Sequence, residues 1–244
     1  MASIASESLH LRVAADLTAA IRRGDYPVGT RLPAERSLAT RLGVSRTTLR
    51  QALAELARGG IVRRRVGRGG GTFVREPTVE RRAGSLVGLT AELQRQGMRA
   101  GANVVRVAVV TAPRDIAAAL ALDPGDRVVE LVRIRSADGR PVAVEQSWSP
   151  ADRFPGLEHE NLSGSLYDVL RERYGCVSDR AVERVEARLA VAEDAARLGV
   201  RHGAPMIAVE RIAFDDNGAA FEFARDRFRG DRTTIVIQNN EEST

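Results

Sequence analysis

Lysine is absent from the 244 residues: all 37 strong bases are arginine, a uniformity that fits codon preference and is given no functional weight. A single cysteine, Cys176, excludes an intrachain disulfide framework and a cysteine-based zinc cluster. Aromatic residues make up only 4%, so the core must come from the Leu, Val, Ala and Ile that dominate the 43% hydrophobic fraction. No apolar run approaches the roughly 18 residues of a membrane span, so no membrane association is expected. The first residues, MASIASESLHLRVAADL, lack a basic segment followed by an apolar one, which argues against a secretory signal and for a cytoplasmic location. The three histidines, His10, His159 and His202, are scattered, and no Cys/His pair or nucleophile motif accompanies them. No metal, cofactor or catalytic group is expected.

Charge is present and unevenly spread. The chain is +5 overall, but residues 1–75 hold 14 Arg against 5 acidic residues, a net +9, while residues 76–244 are net −4. A small basic segment followed by a mildly acidic one suggests a polyanion binder joined to a second domain.

The basic part is organised around residues 29–53, GTRLPAERSLATRLGVSRTTLRQAL. The pattern predicts a helix over Glu35–Leu42, a turn at Gly43-Val44, and a helix from Arg46 to Arg58 with Ser45 as its N-cap. Leu49, Ala52, Leu53 and Leu56 recur at helical spacing and mark a buried face. Arg46 and Arg50, with Thr47 and Gln51 beside them, lie on a different face. That face suits a helix set in the major groove, although an ordinary amphipathic helix with a solvated basic side has the same pattern. Upstream, Val13, Leu17 and Ile21 repeat every four residues within a helix expected over 8–24. Downstream, strands near 61–66 and 72–75 flank a glycine-rich tip at 67–71, giving a basic hairpin. The Arg63–Arg65 run and Arg68 are placed to neutralise phosphates or enter a minor groove.

Three helices followed by such a hairpin form a winged helix-turn-helix. LPAERSLATRLGVSRTTLRQAL followed by GRGGGTFV resembles the DNA-binding domain of the GntR family of bacterial transcription regulators, over about residues 8–75. The resemblance implies base contacts from Arg36, Arg46 and Arg50, a phosphate contact from Thr47, and a minor-groove wing contact at Gly67. The candidate DNA-contacting set is Arg36, Ser45, Arg46, Thr47, Arg50, Gly67, Arg68 and Gly69. Ala34 departs from the Ser that many members carry there, which removes a helix cap but leaves the arginines in place.

Residues 76–85, EPTVERRAGS, are polar and patternless and are expected to be linker. Residues 86–244 read as an α+β domain. Helices are expected at 90–96, 113–121, 165–174 and 192–199; strands at 104–112, 126–136, 142–149, 182–191, 206–215 and 219–229. Asp138-Gly139 and Asn217-Gly218 separate strand runs and signal hairpins, hence an antiparallel sheet. Arg133 and Arg135 are two apart on one strand and share a face. They need an anionic partner, either a structural carboxylate such as Glu145 or Glu222, or a ligand phosphate or carboxylate.

LALDPGDRVVELVRIRSADGRPVAVEQSW, GSLYDVL and EFARDRFRGDR, in that order, resemble the UTRA effector domain of the HutC subfamily, which shares its fold with chorismate lyase. The resemblance implies an anion held by Thr90, Arg133, Arg135 and Ser165, with further polar contacts from Glu145, Tyr167 and Glu222. Gly88 stands where a Ser is common and Phe228 where a Tyr is common. The sugar-hydroxyl end has thus lost a hydroxyl, which points to a phosphate, phosphonate or small phosphorylated metabolite at least as much as to a hexosamine phosphate. The overall expectation is a homodimeric repressor that binds a double-stranded DNA operator and is released by a small anionic effector. The alternative is a chorismate-lyase-like enzyme fused to a DNA-binding domain.

Overall fold

The computed structural model describes residues 2–75 and 78–238, with side chains described from Leu9 onward. The chain divides into two compact units, Met1–Thr78 and Val79–Thr244.

The first unit contains helices α1 (Ala2–Arg23), α2 (Glu35–Leu42) and α3 (Arg46–Arg58), then a hairpin of β1 (Val62–Arg65) and β2 (Gly71–Val74). α1 reaches back six residues beyond its expected start at residue 8. The expected stripe of Val13, Leu17 and Ile21 is buried against Leu38, Leu49, Leu53 and Leu56. Gly43 closes α2 in the left-handed conformation (φ 65°), and its N–H bonds back to the last turn. Ser45 opens α3, its hydroxyl accepting from the Thr48 N–H at 3.0 Å. Ala34 offers α2 no such bond. The hairpin pairs Val62 with Val74 and Arg65 with Gly71. Its tip needs glycine: Gly67 has φ +102°, and a Cβ on Gly70 would lie 2.6 Å from the Arg65 carbonyl oxygen.

The second unit is built on a six-stranded antiparallel sheet in the order β4-β5-β6-β9-β8-β7. Its strands follow one other strand and a helix, β3 (Val79–Arg82) and α4 (Leu89–Arg95); then come β4 (Ala100–Thr111), α5 (Arg114–Leu120), β5 (Arg127–Ala137) and β6 (Arg140–Pro150). After α6 (Leu166–Tyr174) the same sequence of elements recurs as β7 (Arg180–Leu189), α7 (Ala192–Leu198), β8 (Pro205–Phe214) and β9 (Ala220–Arg229), followed by β10 (Thr233–Val236). The two strand-helix-hairpin halves meet where β6 pairs with β9. The Asp138-Gly139 turn has both residues at positive φ (51° and 78°), the geometry of a tight hairpin.

Alternation sorts each strand's side chains onto two faces. On one face, Val128, Trp148 and Phe223 pack under α5, and Val132, Val144 and Met206 under α7. On the other, Val129, Leu131, Ala213 and Phe221 pack under α6, and Ala143, Val209 and Phe228 under α4 and β3. β7 ends the sheet as an edge strand with Val182, Val185 and Leu189 exposed. One expectation is corrected here. Residues 79–82, read as linker, form β3, which pairs in parallel with β10 through Val79↔Thr233 to Arg82↔Val236. VERR is a short charged strand whose partner lies far along the chain, so no local pattern announces it. Residues 76–77 of the expected linker lie outside the described residues.

Candidate functional site

In the first unit, burial of Leu49, Ala52, Leu53 and Leu56 fixes which side of α3 faces outward. Arg46, Thr47 and Arg50 are exposed there, as are Arg36 on α2 and Gly67, Arg68 and Gly69 at the hairpin tip. Among the described residues, the Arg36, Arg46, Arg50 and Arg68 side chains make no ion pair. Two neighbouring arginines are engaged within the unit. Arg64 donates to Glu35 at 2.6 Å, tying the hairpin to the start of α2, and Arg65 lies 5.5 Å from the centre of the Phe73 ring. Ser45 is committed to its capping bond and to a 2.8 Å contact with the Thr48 hydroxyl, so it orients α3.

In the second unit, all eight residues singled out from the sequence line one cavity: Thr90, Arg133, Arg135, Glu145, Ser165, Tyr167, Glu222 and Phe228. It sits on the sheet face covered by α4 and α6, and its internal volume is about 40 Å³. The sheet register makes the arrangement. Arg133 on β5 stands opposite Glu145 on β6, which stands opposite Asp226 on β9. Glu222 and Phe228 lie on the same side of β9 as Asp226, and Ser165 and Tyr167 arrive from the start of α6.

The open question of what the two strand arginines pair with is answered in part. Arg133 donates from Nε to Glu145 at 2.7 Å, and from Nη1 to the carbonyls of Leu162 and Gly164 at 2.9 and 3.0 Å. Arg135 donates to both Glu145 oxygens at 3.1–3.2 Å and to the Thr90 hydroxyl at 2.6 Å. Glu145 is therefore a structural partner of both. Glu222 is not: it accepts from the Tyr167 hydroxyl at 2.6 Å. Ser165 caps α6 by accepting from the Asp168 N–H at 3.2 Å. Phe228 is 1% exposed and packs with Leu89, Leu93 and Val209, with the Arg81 guanidinium 5.6 Å from its ring centre.

Four further charged residues line the cavity: Arg81, Glu92, Arg211 and Asp226. Asp226 shares the parity of Glu222 and Phe228 on β9, so the period-two rule that selected those two would have found it. Arg211 follows the same rule on β8, between Val209 and Ala213. Arg81 lay inside the expected linker. It donates to Glu183 at 2.5 and 3.1 Å, and Arg211 shares the same carboxylate at 3.4 Å.

The carboxyls divide by surroundings. Burial pushes Glu145 up, but the charges of Arg133 and Arg135 outweigh it and hold the group at about 2. Burial likewise opposes Glu183, and the hydrogen bonds and charge of Arg81 bring it below the usual carboxylate range. Asp226 is buried beside ionised Glu145 and is pushed up to about 8. Burial also raises Glu92 and Glu222, and it raises the Tyr167 phenol together with the Glu222 charge.

A basic face on a helix-turn-helix unit and a charged cavity in a second, sheet-based unit are the two candidate sites of the chain. Residues 9–74 match the bacterial regulatory proteins of the gntR family, and residues 95–234 match the UTRA domain. The chain belongs to the GntR family and carries a UTRA domain. It is 32% identical over 229 residues to the HTH-type transcriptional repressor NagR of Bacillus subtilis (strain 168), covering 93% of each chain. It is 36% identical over 210 residues to the HTH-type transcriptional repressor PhnF of Mycolicibacterium smegmatis, covering 86% of this chain and 84% of that one. The crystal structure of PhnF from Mycobacterium smegmatis superimposes with a TM-score of 0.81 at 34% identity, covering 94% of this chain and all of that chain (100%). These relatives are transcription regulators rather than enzymes. The GntR–UTRA chain is likewise a DNA-binding transcription regulator, and the chorismate-lyase-like alternative is set aside.

Proposed function

We propose that this GntR–UTRA chain is a homodimeric repressor that leaves its operator when a small anion enters the second-unit cavity. The observation that carries the reading is the convergence of Arg133, Arg135 and Thr90 on one buried site with only Glu145 to balance the two arginines. Four arginines line the cavity, whereas Asp226 is pushed up to about 8 and so carries less than a full negative charge near neutral pH. Such a site favours an oxyanion over a neutral or cationic ligand.

DNA is contacted by Arg36, Arg46 and Arg50 at base edges, by Thr47 at phosphate, and by Gly67, Arg68 and Gly69 at the wing. Ser45 acts through its cap on α3. A winged-helix head of this size holds an operator weakly alone, which favours a two-fold dimer on a pseudo-palindrome.

Chain continuity offers a route for coupling. Part of the cavity wall, Arg81, Val87, Gly88, Thr90 and Glu92, lies on the first segment of the second unit, which follows β2 in the chain. A space of about 40 Å³ holds a few water molecules at most, so a phosphorylated ligand must displace these walls.

The test is operator release followed by fluorescence anisotropy, beside calorimetry with a panel of phosphorylated, phosphonylated, neutral and cationic small molecules. Release by an anion, lost in Thr90→Val with operator affinity kept, is the expected result. Binding of neutral or cationic compounds alone would leave Arg133 and Arg135 with a purely structural role.

A further inference from the structure

Arg211 is the least satisfied guanidinium in the cavity. It is 6% exposed. Its Nη1 donates to the Ser85 carbonyl at 2.7 Å and approaches Glu183 at 3.4 Å. Its Nε and Nη2 are buried and have no hydrogen-bond partner. Those two nitrogens form the side-on edge of the guanidinium, the edge that grips a carboxylate with two parallel bonds. Buried donors are seldom left unmade, and each one calls for a partner. The guanidinium carbon lies over the Tyr167 ring, 5.4 Å from its centre.

Glu222 does not fill this role. It is occupied by the Tyr167 hydroxyl, and burial makes it harder to ionise despite the nearby Arg211 charge.

Two arginine pairs, one on β5 and one from β3 and β8, show a matching arrangement of charge. At one end of the cavity, Arg133 and Arg135 share one carboxylate, Glu145. At the other, Arg81 and Arg211 share one carboxylate, Glu183. Each cluster sets two guanidinium groups against one shared carboxylate. Arg133 aligns with Glu145 and Asp226, and Arg211 aligns with Ala224, so the two clusters spring from strands three places apart in the sheet. At the usual strand spacing that is about 14 Å between backbones. The side chains reach inward from both sides onto a common lining. A ligand joining both ends therefore has two anionic groups separated by a few bonds.

We propose that Arg211 is a second oxyanion fork, and that the effector is a phosphorylated or phosphonylated carboxylate. The phosphoryl or phosphonyl group lies toward Thr90 and Arg135, and the carboxylate lies on the Nε–Nη2 edge of Arg211. This inference rests on the effector-cavity reading above and narrows the ligand class.

The experiment is calorimetry on the full chain with matched probes: 3-phosphoglycerate against glycerol 3-phosphate, and phosphonoacetate against ethylphosphonate. In each pair the carboxylate-bearing probe should bind roughly ten-fold tighter, the increment of one charge-assisted hydrogen-bonded pair. Arg211→Gln should erase that advantage while leaving glycerol 3-phosphate binding within about two-fold. Arg211→Lys keeps the charge but lacks the fork, and should recover only part of it. A thermal melt of each variant establishes that it is folded. If glycerol 3-phosphate binds the wild type as well as 3-phosphoglycerate does, or if the advantage survives in Arg211→Gln, the second fork is refuted and the anion reading stands. If no anionic probe binds, both fall.

Discussion

Glu145 on β6 lies directly opposite Asp226 on β9, so two carboxyls face each other across neighbouring strands inside a buried cavity. The pair is tolerable because the two differ in partners. Glu145 is held by Arg133 and Arg135, while one oxygen of Asp226 has no hydrogen-bond partner. The first is accordingly held at about 2 and the second pushed up to about 8.

Stability should depend on pH in two opposite ways. Folded Asp226 keeps a proton that the unfolded chain has already lost, so its contribution declines as pH rises toward about 8. Glu145 behaves in the reverse sense: its contribution is complete above the ordinary carboxylate range and is lost as pH falls toward about 2. Urea denaturation from the ordinary carboxylate range up to about pH 8 should show falling stability in the wild type, levelling off above that. Asp226→Asn should flatten that slope and leave the acid limb in place. An unchanged slope below about pH 8 in the variant would mean that Asp226 is ionised throughout.

Arg133→Ala should damage the fold as well as the effector response. Arg133 holds Glu145 and two carbonyls of the loop before α6, and its removal leaves a buried carboxylate short of one partner. Breaking such a pair costs about 3–5 kcal/mol. The denaturation midpoint should fall accordingly, although operator affinity at temperatures where the variant is folded should be nearly unchanged. Wild-type stability in Arg133→Ala would show that the buried pairing is dispensable.

On the DNA side, Arg50→Ala should cost about 1–3 kcal/mol at one base pair and relax the preference there. Ser45→Ala should act differently. Losing the bond to the Thr48 N–H costs about 0.5–2 kcal/mol of head stability and should weaken specific and random duplexes alike. Competition binding on both duplex types separates the two. Equal weakening by Arg50→Ala would reassign that side chain to phosphate.

The full chain should be dimeric at micromolar concentration without DNA, as light scattering can measure. Monomers under those conditions would remove the two-fold operator model, since a single head buries too little to hold a site at physiological salt.

Most of this architecture was legible because alternation and helical spacing are local. Ser45, Gly43 and the Leu49–Leu56 stripe each determine their own surroundings, and the six long strands fall within a few residues of their expected positions. The cavity was legible residue by residue, but its pairing was not. Counting back from the Asp138-Gly139 turn sets Arg133 opposite Val144, on the wrong face. A register shift between Arg135 and Ser136 brings Glu145 there instead. Nothing in the residue types announces that bulge. β3 was missed for a related reason, because its stability comes from β10 at the other end of the domain. Arg81, one of the two arginines of the cavity's second cluster, went with it.

Gly88 and Phe228, where hydroxyl residues are common in the family the chain resembles, offer the last test. Gly88 is the N-cap of α4, with extended backbone (φ −72°, ψ 164°) and no side-chain bond to the helix. A Cβ there would meet only the Tyr167 ring, at 3.9 Å, so a serine fits without strain. Gly88→Ser should therefore raise stability by a few tenths of a kcal/mol through capping and present a hydroxyl to the cavity. Phe228→Tyr faces a harder environment, since the ring is buried among Leu89, Leu93 and Val209 and its new hydroxyl must find a partner. Arg81, already over the ring, and the unpartnered oxygens of Glu92 and Asp226 line the same cavity. The double variant should bind glucosamine 6-phosphate more tightly than the wild type does, with glycerol 3-phosphate binding little altered. Calorimetry of both ligands against both proteins decides it. A gain for neither would mean that specificity for the sugar end is set elsewhere on the cavity wall.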